Sequence, residues 1–262
     1  MIELITYPLF SEFNEINHFT STRKSGVSQG DFFSLNLGLY SGDEPDNIQK
    51  NFNLLFDFTG IKPHQLFIPH QTHGDEIIVI DKKFTQESPE NQQSLLYGKD
   101  ALITNIPDIY IGVTTADCVP ILIYDPVKKA VGAVHAGWRG TCGKIVSKTI
   151  EQMCEKFGSN PNDMFAVIGP SISVNVYNVG NELVDEFEKA GFKTNEIFQQ
   201  KNEKIHLDLW KANENLLLEK GLKIENIEIA KRCTFTEHET FFSARKLGIK
   251  SGRMISVIGI EE

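Results

Sequence analysis

The sequence lacks any long hydrophobic run and any basic, apolar leader. Its longest apolar stretches, Ile77–Ile80 and Val119–Tyr124, have the length of strands, whereas a membrane-spanning helix needs about 20 apolar residues. The first sixteen residues carry three glutamates and no basic cluster, which is unlike a signal peptide. We therefore expect a soluble, cytoplasmic protein with no membrane partner.

Positive charge is also scarce. Lys and Arg number 26 against 35 Asp and Glu, so the formal net charge is -9. Such a field repels a phosphate backbone unless basic residues are gathered locally, and nucleic acid is not an expected partner. Hydrophobic side chains make up 40% of the 262 residues, which is enough for a sizeable core and excludes disorder.

Cysteines are few, and none forms a CxxC pair. This excludes a zinc ribbon or a thioredoxin-like redox site, and a chain without a secretory segment is expected to keep free thiols. Any metal must therefore find its other ligands in distant segments. The four cysteines are Cys118, Cys142, Cys154 and Cys233.

Hydrophobic patterning predicts a mixed α+β protein. Several strands follow one another without an intervening helix, so a purely alternating parallel sheet fits poorly. We expect one domain, residues 1–262, with linker-like composition only at Lys82–Ser94. The predicted strands are Gln65–Ile68, Glu76–Ile80, Ala101–Thr104, Ile109–Thr114, Val119–Tyr124, Ala130–His135, Phe165–Ile168, Ile227–Ala230 and Met254–Ile258. The predicted helices are Asp46–Phe56, Thr141–Phe157, Val179–Ala190 and Leu207–Lys220.

Three segments carry side chains suited to chemistry. In Thr114–Pro120, the thiol of Cys118 lies between two strands, and strand ends present side chains to clefts. In Pro69–Gly74, two imidazoles are three residues apart, and we expect only His73, beside a glycine, to enter a shared site.

The third segment, His135–Thr141, runs from a strand end through a glycine turn into a helix. Free backbone N–H groups with Arg139 beside them suit an anion such as phosphate. Most glycine turns before helices bind nothing, and this one lacks the P-loop lysine pattern.

Taken together, His73, Cys118 and His135 form a His2Cys set. Three such ligands leave a tetrahedral ion one open position, as catalytic zinc requires, and zinc would bring the pKa of a bound water to about 7. The same residues also suit a metal-free site, with Cys118 as nucleophile and His135 as base. Spacing alone does not separate these alternatives.

These three segments closely resemble those of the laccase-domain or YfiH-like family, whose members are known successively as polyphenol oxidase and purine nucleoside phosphorylase. The resemblance covers nearly the whole chain, and the order TADC then HAGWRG is highly specific. The matching segments are Thr22–Arg23, Gly26–Ser28, Ser34–Gly38, Gly42–Asp43, Gln71–Gly74, Asp100–Thr104, Thr115–Cys118, His135–Gly140, Ile168–Pro170, Phe241–Ser243 and Gly252–Met254.

The resemblance implies a fold, a cofactor and an activity. The fold would be a four-layer α/β/β/α arrangement with mixed sheets, shared with the catalytic domain of a bacterial deamidating toxin. The cofactor would be zinc held by His73, Cys118 and His135. The activity would be phosphorolysis of adenosine, inosine, guanosine and methylthioadenosine, with additional deamination of adenosine, so the partners would be purine nucleosides and phosphate.

This activity needs groups for phosphate, ribose and proton transfer. Arg139 and Arg23 are candidates for phosphate, and Asn36 is a candidate for ribose or base, although an asparagine between leucines also caps turns. Because the zinc-deaminase signature HxE with PCxxC is absent, Asp100 and Asp117 are the nearest candidates for acid or base, beside Cys118 and His135.

Two positions depart from the family pattern. The box Phe241–Ser243 continues with Ala244, Arg245 and Lys246 instead of an aromatic residue and two arginines, so a bidentate role at the second basic position does not carry over. Phe52 replaces the usual arginine after Asn51.

Three other functions remain open. A multicopper laccase needs many imidazoles, often as HxH pairs, and this chain has seven histidines and no HxH, yet copper could occupy the same His2Cys site because Cu(II) binds more tightly than zinc. The toxin-like fold also suits a Cys-His amidase or hydrolase. A non-catalytic binding module is the third, and the sequence leaves the oligomeric state open.

Overall fold

The structure is a computed structural model that describes residues 2–261. In this range the strands are β1 (Leu4–Ile5), β2 (Ile16–Ser21), β3 (Leu66–Phe67), β4 (Ile77–Val79), β5 (Ala101–Thr104), β6 (Tyr110–Thr115), β7 (Val119–Asp125), β8 (Ala130–Ala136), β9 (Phe165–Ile168), β10 (Asn178–Val179), β11 (Phe198–Lys201), β12 (Lys204–Leu207), β13 (Ile227–Ile229) and β14 (Met254–Ile260). The helices are α1 (Pro8–Ser11), α2 (Pro45–Thr59), α3 (Lys82–Thr85), α4 (Pro89–Leu96), α5 (Trp138–Cys142), α6 (Ile145–Phe157), α7 (Asn181–Lys189), α8 (Thr194–Ile197), α9 (Leu209–Glu219) and α10 (Ala244–Leu247).

Two large mixed sheets form the middle of the molecule. One has the strand order β13-β9-β7-β8-β5-β4 and the other β1-β2-β14-β6-β3, and a small sheet has the order β10-β12-β11. Most neighbours are antiparallel, but β3 pairs with β6, β4 with β5 and β13 with β9 in parallel. The mixed α/β architecture predicted from the sequence is confirmed.

The layers follow from strand alternation, because successive side chains point to opposite faces. In β8, Val131 and Ala133 pack between the two large sheets, whereas Ala130 and Val134 pack on the other face with residues of α6 and α9. The outer face of the five-stranded sheet packs against residues of α2. The order is therefore helices, sheet, sheet, helix, which is the predicted four-layer arrangement.

Several local predictions were wrong. The helix predicted over Thr141–Phe157 is two helices, because Lys144 has a left-handed φ of 59° and separates α5 from α6. The linker-like segment Lys82–Ser94 instead contributes α3 and most of α4. Both helices are capped at their N-termini, by the side chains of Asp81 and Ser88 respectively.

Strand β2 was missed altogether. It lies between β1 and β14 in the five-stranded sheet, but its sequence mixes Asn17, His18 and Thr20 with apolar residues. The polar groups are accommodated by partners that only the fold provides: His18 Nε2 accepts the backbone N–H of Tyr7, and Thr20 bonds to Tyr7 and Ser256. No described helix is both long enough and apolar enough to cross a membrane.

Candidate metal centre

Three strand ends meet at one edge of the six-stranded sheet. Strands β5 and β7 begin directly after Asp100 and Cys118, and both run antiparallel to β8, which ends with His135 and Ala136. Ala101 pairs with Val134 and Val119 pairs with Ala136, so Asp100 and Cys118 flank His135 on either side. The side chains of these three residues share the parity of neighbours that pack between the two sheets.

The structure brings His73 to the same place. One ligand atom each from His73, Cys118 and His135 lies within 4.8 Å of the others, and no other group of three or more His, Cys, Asp or Glu residues is placed to share an ion within residues 2–261. The two imidazole rings are 4.8 Å apart, centroid to centroid, at 81°. His135 is buried, Cys118 half-buried and His73 exposed, so the site opens to solvent on the His73 side.

Asp100 organises this cluster. Its fully buried carboxylate accepts a hydrogen bond from His135 Nδ1 at 2.7 Å and from the backbone N–H groups of His73 and Gly74 at 3.0 and 2.7 Å. The Asp100 contact directs Nε2 of His135 towards Cys118. A carboxylate that orients a histidine in this way is the usual partner of a metal-ligating imidazole.

The charged form of His135 stabilises the ionised forms of Cys118 and Asp100, and they stabilise it in turn. Burial opposes ionisation of Cys118, but the charge and hydrogen bond of His135, with those of His73, lower the thiol pKa to about 6. Burial also opposes protonation of His135, but Cys118 and Asp100 raise its pKa to about 9. Burial likewise opposes ionisation of Asp100, and His135 and the loop N–H groups hold its pKa below the usual range. In the metal-free protein the site is therefore a thiolate beside an imidazolium.

Gly137 keeps the site open. A Cβ at this position would lie 3.0 Å from Cys118 Sγ and 3.5 Å from His73 Cδ2, so the absence of a side chain leaves room beside the thiolate. Two residues next to or within the set also have left-handed backbones, His73 (φ 61°) and Asp117 (φ 88°). Soft sulfur and nitrogen donors around such a space fit zinc or copper.

Replacing Gly137 with alanine is expected to weaken metal binding while the protein stays folded. The added methyl group overpacks the ligand cluster by about 1–3 kcal/mol, which corresponds to about 5-fold to 150-fold in metal affinity. Competition titration with a chromogenic chelator measures this. Gly132→Ala is the control, since it adds the same group to β8 with no contact shorter than 3.4 Å. Equal affinities in the two variants would contradict the prediction.

The two aspartates have positions that argue against acid–base catalysis. Asp100 is enclosed by the contacts described above. Asp117 Oδ1 accepts a hydrogen bond from Thr234 Oγ1, and its Oδ2 accepts one from the backbone N–H of Arg245, both at 2.6 Å. Both carboxylates are buried and hydrogen-bonded within the protein, and these contacts favour positioning over the predicted role in proton transfer.

The side chains of Arg23 and Asn36 form hydrogen bonds within the protein, which argues against the predicted contacts with substrate. The guanidinium of Arg23 lies over Phe242 and donates to the backbone oxygens of Phe33 and His238. Asn36 is fully buried, and its amide donates to Ser41 and Asp43 and accepts from the N–H groups of Gly38 and Arg253. All four hydrogen bonds available to the Asn36 amide are thus used within the protein, and the contacts of Arg23 link loops to one another.

Arg139 and His70 are not members of the three-residue ligand cluster. Arg139 is exposed, with its guanidinium carbon 4.3 Å from the centroid of the Trp138 ring, and among described residues no carboxylate pairs with it. His70 stacks on Tyr40 at 3.7 Å and faces a cavity of about 760 Å³ lined largely by α2 and the loop before it. His73 and not His70 joins the cluster, as expected.

Sequence reasoning missed one side chain beside the site. Burial raises the pKa of Tyr177 to about 12, the charges of Cys118 and Asp117 add to this, and those of Arg245 and Arg139 oppose it. Tyr177 precedes the two-residue strand β10 and belongs to none of the segments that resemble the family, so nothing in the sequence indicates that it lies near the site. Burial lowers the pKa of Arg253, and the charges of Cys118 and Asp117 oppose this shift.

The fold and the three facing side chains define a mixed α/β protein with a His2Cys candidate metal centre at a sheet edge. Residues 17–261 match the family described as multi-copper polyphenol oxidoreductase laccase, and the chain belongs to this family.

Similar proteins carry two kinds of name. The chain is 42% identical over 261 residues to a purine nucleoside phosphorylase of Bacteroides thetaiotaomicron, covering 99% of this chain and 97% of that protein. It is 37% identical over 260 residues to adenosine deaminase RL5 of an unknown prokaryotic organism, covering 98% and 99%. The crystal structure of the hypothetical protein YfiH of Bacillus licheniformis superposes with a TM-score of 0.88 at 31% identity, covering 96% and 94%.

Proposed function

We propose that this protein is a zinc-dependent purine nucleoside phosphorylase that acts on adenosine, inosine, guanosine and methylthioadenosine and also deaminates adenosine. The observation that carries the proposal is the His2Cys cluster, open on one side and oriented by a buried carboxylate. The names of two relatives, a purine nucleoside phosphorylase and an adenosine deaminase, support the two activities.

The protein's own residues would prepare this site for the metal. His73, Cys118 and His135 would hold zinc, and copper suits the same donors. When bound, the metal supplies a Lewis acid and a water of lowered pKa. Asp100 accepts a hydrogen bond from His135 Nδ1–H and so keeps the Nε2 lone pair available. It also fixes the loop that carries His73 through three backbone N–H groups.

Arg139 is the proposed phosphate contact. It follows β8 by three residues, lies on the segment that continues from His135, and has an exposed guanidinium with no carboxylate partner among the described residues. A guanidinium forms two parallel hydrogen bonds to a phosphate. The ring of Trp138 beneath it restricts its orientation without neutralising its charge.

Incubation of zinc-loaded protein with adenosine, with and without phosphate, tests the function. We expect adenine only when phosphate is present. Deamination should give inosine without phosphate, and inosine together with hypoxanthine released from it when phosphate is present. Product identification by chromatography separates the two reactions. If phosphate does not increase the formation of adenine, the phosphorylase proposal is wrong. If no inosine appears, the deaminase part is wrong.

Replacing Arg139 with lysine is expected to impair phosphorolysis more than deamination. Lysine keeps the charge but loses the bidentate geometry, and losing one charge-assisted hydrogen bond reduces the rate by about tenfold. The measurement is the ratio of adenine to inosine formed from adenosine at fixed phosphate. A ratio that stays constant or rises would remove Arg139 from the phosphate site.

A metal-free Cys-His hydrolase is the second candidate, and one observation favours it. The pKa of Cys118 is lowered to about 6, after burial is overcome by the charges and hydrogen bonds of His135 and His73. The thiol of the metal-free protein is therefore a nucleophile at neutral pH. A thiolate paired with an imidazolium is the resting state of many cysteine hydrolases.

Alkylation of Cys118 separates the two candidates. In chelator-treated protein we expect the rate of reaction with iodoacetamide to rise with pH, with a midpoint at about 6, because the thiolate forms as the pH passes the lowered pKa of Cys118. Zinc should protect the thiol. Peptide mapping identifies the modified residue and metal analysis gives the metal content. A purified protein that contains no metal, turns over an amide and loses activity on alkylation would favour the hydrolase.

A further inference from the structure

Arg245 is fastened to the loop that carries Cys118. Its backbone N–H donates to Asp117 Oδ2 at 2.6 Å, and Thr234 Oγ1 donates to the other carboxylate oxygen at the same distance. The backbone oxygen of Asp117 also accepts the N–H of Ile172 at 3.0 Å. Because Asp117 directly precedes Cys118, the position of Arg245 is tied to that of a proposed ligand.

The side chain of Arg245 is directed towards Tyr177. Its guanidinium carbon lies 5.0 Å from the centroid of the Tyr177 ring, and Nη1 donates to the backbone oxygen of Asn178 at 3.0 Å. Nη1 also lies 3.4 Å from Asn178 Oδ1. Within residues 2–261 no carboxylate pairs with this guanidinium, and its Nε and Nη2 groups have no acceptor. The side chain is exposed, so these donors face solvent.

Tyr177 connects this arginine to the candidate metal centre. The charges of Cys118 and Asp117 and those of Arg245 and Arg139 all act on its phenol, whose pKa burial raises to about 12. The phenol is therefore protonated at neutral pH and can donate a hydrogen bond. Two arginines from separate segments, one following β8 and one in α10, thus act electrostatically on the same phenol as the thiol of Cys118 does.

We propose that Arg245 and Tyr177, together with Arg139, form the subsite that receives inorganic phosphate beside Cys118. This inference rests on the proposed phosphorylase function and extends it, because it replaces Arg23 by Arg245 as the second cation for phosphate. Free guanidinium donors and a phenolic O–H match the acceptor oxygens of phosphate. Arg23 has its donors on backbone carbonyls.

Lys246 offers a matched control. It follows Arg245 in α10 and is also exposed, but its ammonium lies over Phe235 at 5.1 Å and not over Tyr177. Replacing either residue with glutamine removes one positive charge from the same helix. Only the Arg245 change removes a donor from the proposed subsite.

The test measures binding of inorganic phosphate to the zinc-loaded protein by calorimetry, together with KM for phosphate in adenosine phosphorolysis. For Arg245→Gln we expect the Kd for phosphate to rise by about tenfold or more, which is the value of one charge-assisted hydrogen bond. For Tyr177→Phe we expect a smaller increase, about threefold to tenfold. Lys246→Gln should change the Kd by less than about twofold.

Three outcomes would overturn the subsite: no phosphate binding by the parent protein, undiminished binding by Arg245→Gln, or equal losses in Arg245→Gln and Lys246→Gln. The last result would show a general effect of charge. Failure of the phosphorylase function is separate, because it would appear as absence of phosphate-dependent adenine in the parent protein. Phosphate binding that depends on Arg245 would support the subsite even then.

Discussion

Replacing Cys118 with alanine is expected to leave the purified protein without its metal and to lower adenosine turnover by about 100-fold or more. Loss of a residue that merely orients a ligand usually costs about 10–100-fold, and Cys118 is proposed as a ligand itself. Its thiolate supplies the negative charge of the set, because the other two donors are neutral imidazoles when they bind a metal. The remaining pair, His73 and His135, should bind zinc weakly.

Metal analysis of the purified variant measures this effect, with the parent expected near one zinc per chain. Cys154→Ala is the control: the residue lies in α6, packs against the outer core and should act as a small hydrophobic side chain. That variant should keep its metal and its turnover and lose only modest stability. Full metal occupancy in Cys118→Ala, or metal loss in Cys154→Ala, would contradict the proposed ligand set.

Replacing Asp100 with asparagine is expected to reduce both stability and metal affinity. The carboxylate accepts hydrogen bonds from His135 and from three backbone N–H groups of the His73 loop, and an amide of the same shape has fewer acceptors and no charge. Breaking a buried charged pair costs about 3–5 kcal/mol of unfolding free energy. The loss of an orienting carboxylate lowers metal affinity by about 10–100-fold.

The stability difference should depend on pH in a defined way. Because the folded pKa of Asp100 is lowered, its stabilisation is complete above the ordinary pKa of aspartate, about 4, and is lost as the pH falls through the lowered value. Because the folded pKa of His135 is raised, its stabilisation is present below the ordinary value of histidine and is lost as the pH rises through about 9. The difference in unfolding free energy between parent and variant should therefore be largest between the ordinary pKa of aspartate, about 4, and that of histidine, about 6.5.

Urea unfolding of metal-free parent and Asp100→Asn across this range measures the gap. Using metal-free protein separates the effect on folding from the effect on metal binding. A gap that does not shrink at acid pH would show that Asp100 acts through its shape alone. Unchanged metal affinity in the variant would remove its role in orienting His135.

Most of the fold could be predicted because its strands are strongly apolar. Ala101–Thr104 and Phe165–Ile168 were predicted with the observed bounds, and β7 and β8 to within one residue, since each is buried on both faces between layers. Strand β2 was missed because its buried positions include His18 and Thr20, whose partners come from Tyr7 and Ser256. The break at Lys144 was missed because a left-handed backbone leaves no hydrophobic signature.

The sequence by itself predicted that His73, Cys118 and His135 would lie together, because a thiol and two imidazoles stand in the segments that resemble the family. Only the tertiary structure decided which neighbours serve that set. Strand register places Asp100 against His135 and commits its carboxylate to orientation, while Asn36 and Arg23 become buried or tied to backbone oxygens. The pairing of Arg245 with Tyr177 joins residues 68 positions apart (245 − 177), and such a contact depends on how distant segments pack.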